Sequence, residues 1–172
     1  MKLTKKKDLQ IMSTRNRLAN VDNKFQRLND FTRILCVCSA GLLRSPTIAR
    51  VLQKDYDNVN VRAAGISNEY ALIPVDEVLV SWASIIICAE DWHADQVEDQ
   101  FGDIMTESKI PLIALNIPDE FSFADPKLES IIREKLIKIV DSSADTRQFE
   151  LIPQVDDLPD PTDVEEMKYY YN

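Results

Sequence analysis

Histidine, cysteine and basic charge are all scarce in this sequence. There is one histidine, His93, and there are three cysteines, Cys36, Cys38 and Cys88. No cluster of Cys and His ligands can be assembled from them, so neither a metal nor another cofactor is expected. A single histidine also leaves no Cys–His nucleophile pair unless His93 reaches Cys38. An odd cysteine count without regular spacing is a poor disulfide framework. No apolar run has the length of a membrane span, and the lysine-rich start is not followed by the apolar core of a secretory signal. These absences point to the cytoplasm, where thiols stay reduced, and away from a membrane partner. The formal net charge is −9, and without a domain-wide basic footprint nucleic acid is not an expected partner.

The 172 residues, 45% of them hydrophobic, suffice for one domain with extensions. Residues 1–31 carry eight Lys/Arg and three Asp/Glu, and residues 145–172 carry two and eight. The first stretch reads as a basic extension that packs loosely on the core. The last reads as an acidic, proline-punctuated, flexible tail ending in Tyr169-Tyr170-Tyr171. Between them, residues 32–144 form the expected catalytic domain. Apolar strand runs at Arg33–Val37, Val59–Ala63, Ile85–Cys88 and Pro111–Ile117 alternate with helical patterns at Pro46–Asp55, Val75–Trp82, Ala94–Phe101 and from Leu128 to Ile139. Such alternation predicts an α/β fold with a parallel sheet. A monomer is the expectation. In parallel sheets ligands bind beyond the carboxyl ends of strands, and one loop there stands out.

That loop is Cys38-Ser39-Ala40-Gly41-Leu42-Leu43-Arg44-Ser45, between the strand Ile34–Val37 and a helix opening near Pro46. A strand, a short loop and a helix N-terminus aim backbone N–H groups at an anion. Cys38 and Arg44 bracket five residues, so Ser39 through Leu43 would cradle a phosphate while Arg44 adds a two-pronged donor. The same donors favour the thiolate, which is the nucleophile. Ser45, read as the helix N-cap, would donate to that sulfur, with Pro46 at the first helical position. Gly41 suits a turn that needs positive φ.

Cys-x5-Arg-Ser is the signature of protein tyrosine phosphatases. Its position after the first core strand, the following Pro46 and the downstream Ala64-Gly65-Ile66-Ser67 resemble the low-molecular-weight protein tyrosine phosphatases over about residues 33–140. The segment Ile117-Pro118-Asp119-Glu120-Phe121 with Asp125-Pro126 looks closest to a compact bacterial and phage-type subgroup. Ala40-Gly41 replaces the usual Gly-Asn, and Leu43 stands where a second cysteine is common. The resemblance implies a three-layer α/β/α fold with a four-stranded parallel sheet. It also implies a phosphocysteine mechanism acting on a phosphotyrosine protein or a small phosphomonoester.

The leaving oxygen needs a proton donor. Asp119, just beyond a strand, is the favoured candidate. Asp125 has the literal Asp-Pro, but helix capping explains that pair without catalysis. Phe121 and Phe123 either flank a substrate ring or simply pack. Cys36 and Cys88 read as core thiols, and His93 as structural. Two alternatives stay open. One is an arsenate reductase of the same fold, although its cysteine relay is missing here; the other is a phosphate-binding module without turnover.

Overall fold

The computed structural model describes residues 32–56 and 58–143; both terminal extensions, and the readings made of them, lie outside the described residues. Four strands, β1 (Thr32–Cys38), β2 (Val59–Gly65), β3 (Ile85–Cys88) and β4 (Leu112–Ala114), form one sheet in the order β2-β1-β3-β4. Every pair is parallel. Ile85–Cys88 is buried throughout, which explains its unbroken apolar run: a strand covered on both faces has no polar side to show.

Among the described residues four helices cover the sheet: α1 (Arg44–Asp55), α2 (Glu77–Trp82), α3 (Asp91–Ser108) and α4 (Pro126–Ser143). Successive side chains of β1 serve opposite layers. Ile34, Cys36 and Cys38 pack with Ile48, Val51 and Leu52 of α1 and with Leu128, Ile132 and Leu136 of α4. Leu35 and Val37 pack with Val80 of α2 and with Val97 and Met105 of α3. The result is the three-layer α/β/α arrangement. Each fully buried Leu or Ile contributes roughly 1.5–3 kcal/mol, so these two layers dominate the stability.

Element boundaries differ from the sequence reading for local reasons. Helix α1 opens at Arg44, two residues before Pro46, with Leu43 as N-cap and no capping side chain. Pro46 is therefore its third residue, where the missing N–H still costs nothing because the first four helical N–H groups have no helical acceptor. Helix α2 starts later than Val75, because Asp76 caps it: its Oδ1 accepts from Leu79 N–H at 2.8 Å. Helix α3 runs well past Ala94–Phe101. Val97, Phe101, Ile104 and Met105 face the core at helical spacing, but a crowd of carboxylates on the outer face masks the pattern. Strand β4 is shorter than Pro111–Ile117, since Asn116 sits at φ 52°. Its pairing nevertheless continues, with Leu115 and Ile117 N–H donating to the carbonyls of Cys88 and Ala89 at 2.9 and 2.7 Å.

The chain leaves β1 to one side, towards β2, and returns on the other side as β3. The carboxyl ends of β1 and β3 thus flank the switch point at which parallel sheets open a ligand crevice. Cys38 is the last residue of β1.

Candidate active site

Residues 39–43 turn between Cys38 and α1, backed by the end of β2. The carbonyls of Cys38 and Ser39 accept from Ile66 and Ser67 N–H at 2.9 and 3.0 Å, so the β1–β2 pairing runs past the strand into the loop. Gly41 sits at φ 71°, and a Cβ there would come within 2.8 Å of Ala64 C and Gly65 N. A Cβ on Gly65 would lie 2.5 Å from Ala40 C and 2.8 Å from Gly41 N. Two glycines therefore let two backbones touch, which accounts physically for the Ala64–Ser67 segment picked out in the sequence. Among the described residues, no backbone carbonyl accepts from the N–H of Ala40, Leu42 or Leu43. These donors are available to an anion.

The Cys38 sulfur is almost fully buried. Gly41 N–H points at it from 3.3 Å, and Ser45 Oγ lies 3.2 Å away. Ser45 is inside α1, on its second residue, and not at the expected N-cap. Its hydroxyl also reaches the Ala64 carbonyl, at the same 3.2 Å. With one proton and two acceptors, it can turn towards sulfur whenever the thiol is ionised.

Arg44 is buried, and all three of its guanidinium nitrogens have partners. Nη1 donates to Glu90 Oε2 at 2.5 Å and to the Ile117 carbonyl at 2.9 Å. Nη2 reaches Ser39 Oγ at 3.4 Å. Nε lies 3.2 Å from Asp119 Oδ1, and the Asp119 side chain is 62% exposed. The Ile117 contact explains the last of these, because it fixes the chain two residues before Asp119. Downstream, Ala124 N–H donates to Thr47 Oγ1 at 3.0 Å, and Thr47 in turn donates to the Leu43 carbonyl at 2.7 Å. The segment bearing Asp119 is thus pinned at both ends to the loop and helix it faces.

A cavity of about 170 Å³ is lined by Cys38, Ser39, Ala40, Leu42, Leu43, Arg44 and Asp119. Asp125 lies elsewhere: its Oδ1 accepts from Lys127 N–H at 2.8 Å and its carbonyl from Glu129 N–H at 2.9 Å, the bonding of a helix N-cap. Phe121 packs on the core layer beneath α1 and α4. His93 does not reach the Cys38 sulfur; its Nε2 is 2.9 Å from Ser39 Oγ, one residue along.

Glu90 was not picked out from the sequence. Desolvation pushes its carboxyl up, but the hydrogen bonds from Arg44 and Trp92 and the Arg44 charge outweigh that and hold it below the ordinary glutamate range. The signal that could have found it is positional. It is the second residue past β3, and β3 adjoins β1, so its place at the carboxyl ends beside Cys38 follows from the strand order. His93 is fully buried; among the described residues its Nδ1 has no hydrogen-bond partner, with Glu90 Oε2 3.9 Å away. Burial first, and then the Arg44 charge, push its imidazole down to about 4. Cys36 and Cys88 are buried free thiols. Burial, reinforced by the neighbouring cysteines, drives Cys36 well up, and burial with Cys38 takes Cys88 to about 12. Among the described residues no group of three His, Cys, Asp or Glu is clustered as metal ligands would be, and no helix is long and apolar enough to cross a membrane.

No protein-family model and no curated protein sequence matches the chain. Among solved structures it is similar to the YwlE arginine phosphatase from Geobacillus stearothermophilus. The identity is 18% and the TM-score 0.46, covering 69% of this chain and 99% of the other. A YwlE mutant from Bacillus subtilis has 21% identity and a TM-score of 0.45, covering 64% and 99%. A YwlE arginine phosphatase with its active-site cysteine replaced by a phosphorylated serine has 19% identity and a TM-score of 0.49, covering 69% and 99%.

Proposed function

We propose that the chain is a cysteine-dependent phosphomonoesterase acting on phosphotyrosine in proteins, or on small phosphomonoesters, as a cytoplasmic monomer without a cofactor. One observation carries the reading. A buried thiol that meets the Gly41 N–H and the Ser45 hydroxyl shares one small cavity with Arg44 and with Asp119 at its wall. In the proposed reaction the Cys38 thiolate attacks phosphorus in line and forms a phosphocysteine. Arg44 and the amides of residues 39–43 and Ser45 hold the charge on the equatorial oxygens. Asp119 protonates the departing oxygen, then takes a proton from the water that cleaves the S–P bond, and Ser45 stabilises the thiolate as it leaves. The apolar side chains of Ala40, Leu42 and Leu43 on the cavity wall suit an aryl leaving group.

A second substrate class is favoured by a different observation. The Asp119 carboxylate stands at the cavity wall and is 62% exposed, which would suit a phosphoryl group carried on a basic side chain such as arginine. The test uses p-nitrophenyl phosphate, a phosphotyrosine peptide and a phosphoarginine peptide with wild type, Cys38→Ser, Asp119→Ala and Asp125→Ala. The proposal expects turnover that is lost in Cys38→Ser and falls at least tenfold in Asp119→Ala but not in Asp125→Ala. Faster turnover of the phosphoarginine peptide would favour the second class. Arsenate-dependent thiol consumption would instead mark a reductase. Phosphate binding without turnover would mark a binding module.

A further inference from the structure

The first turn of α3 closes a ring of contacts around the phosphate loop. Arg44 Nη1 meets Glu90 Oε2 at 2.5 Å, and the same oxygen accepts from Trp92 Nε1 at 3.0 Å. The Trp92 ring stacks on His93, with centroids 3.8 Å apart and planes 30° from parallel. His93 Nε2 then lies 2.9 Å from Ser39 Oγ, which is in turn 3.4 Å from Arg44 Nη2. Ring members thus come from both the loop and the helix that follows β3.

The partners of Arg44 are not equivalent. Glu90 and the buried Ile117 carbonyl both engage Nη1. Among the described residues Nε has only the exposed Asp119 carboxylate, and Nη2 only the long contact to Ser39. An incoming phosphate needs two parallel donors, and the Nε–Nη2 edge is the one it can take by displacing a solvent-exposed or a long contact. Nη1 is the anchor.

We propose that Glu90 is a positioning residue. By holding Nη1 it presets the guanidinium plane so that the Nε–Nη2 edge faces the phosphate, while its negative charge limits how tightly the product anion is retained. This rests on the phosphatase reading of the loop. A buried guanidinium without its carboxylate keeps its charge but loses its orientation, and misplacement of a transition-state donor by about 1 Å can cost on the order of 10²-fold in rate. Glutamine at 90 can still accept from both Nη1 and Trp92 through its amide oxygen, so it separates orientation from charge.

The experiment measures kcat and KM for p-nitrophenyl phosphate, and Kd for inorganic phosphate and vanadate by calorimetry, in wild type, Glu90→Ala and Glu90→Gln. The expected result is a fall in kcat of at least thirtyfold in Glu90→Ala. Glu90→Gln should restore kcat to within about threefold of wild type while binding phosphate several-fold tighter. Glu90→Ala with kcat within threefold of wild type overturns the inference and leaves the phosphatase reading standing. So does Glu90→Gln if it is as impaired as Glu90→Ala, or if its phosphate affinity is unchanged. Wild type that neither turns over substrate nor binds either anion overturns both.

Discussion

Gly65→Ala tests the idea that the phosphate loop owes its shape to a backbone-on-backbone contact with the end of β2. A Cβ at residue 65 would stand 2.5 Å from Ala40 C, 2.7 Å from the Ala71 side chain and 2.8 Å from Gly41 N. Ordinary contact begins near 3.4 Å, so the loop must retreat by about 1 Å. Two of the three neighbours are backbone atoms of the loop itself, and turning a side chain cannot relieve the clash. Overpacking of this kind costs roughly 1–3 kcal/mol of stability. Withdrawing the amide cradle from the sulfur by about 1 Å is expected to cost on the order of 10²-fold in kcat/KM. Gly102→Ala is the matched control. It lies in α3, where a Cβ would meet only Glu98 Cγ at 3.9 Å, and it should stabilise the protein by about 0.5–1 kcal/mol with no effect on turnover. Both are checked by p-nitrophenyl phosphate kinetics, normalised to the folded fraction from circular dichroism, and by urea unfolding. If folded Gly65→Ala kept kcat/KM within threefold of wild type, loop placement by this contact would be refuted.

Three further outcomes are expected. Because the folded state holds His93 near 4 against about 6.5 when unfolded, the unfolded chain binds the extra proton between those values; stability should therefore fall as pH drops from 6.5 to 4, by roughly 3 kcal/mol in total. Urea midpoints at pH 7, 5.5 and 4.5 should show that slope in wild type and not in His93→Gln, and parallel slopes would count against it. Iodoacetamide on the native protein should modify Cys38 and spare Cys36 and Cys88, whose thiols are buried and pushed up; peptide mass spectrometry showing comparable labelling of either would contradict this. Lys109 ends α3 in the left-handed region at φ 53°, so Lys109→Gly should raise stability by up to about 1 kcal/mol, and a lower urea midpoint would exclude that account.

Much of the fold was legible because the chain obeys simple periodicities. Ile85–Cys88 is a strand at its predicted limits, since an unbroken apolar run of four has few other uses. Asp125-Pro126 was readable as a helix cap for a similar reason: the bonds that make it one reach only two and four residues along the chain. The errors arose where local rules tie. Pro46 is acceptable at any of the first helical positions, so it could not set the start of α1. The carboxylates along α3 obscured an inward stripe that decides the helix only once a sheet lies beneath it. Asparagine takes positive φ more readily than most residues, but that does not say where β4 ends; Asn116 adopts it where the chain turns off β4 and its Oδ1 accepts from Asp91 N–H at 3.1 Å.

The sequence by itself located the loop between Cys38 and Arg44, because the strand, the turn and the helix that follows are neighbours along the chain, while its shape also needs the contact of Gly41 with Ala64 and Gly65 at the end of β2. Only the tertiary structure decided what surrounds Arg44. Glu90 is 46 residues away and Ile117 is 73, and they meet the guanidinium because parallel strands bring all their carboxyl ends to one edge of the sheet. Which residues share that edge depends on the strand order β2-β1-β3-β4. That order is set by how two helical layers cover the sheet, and no local pattern of side chains encodes it.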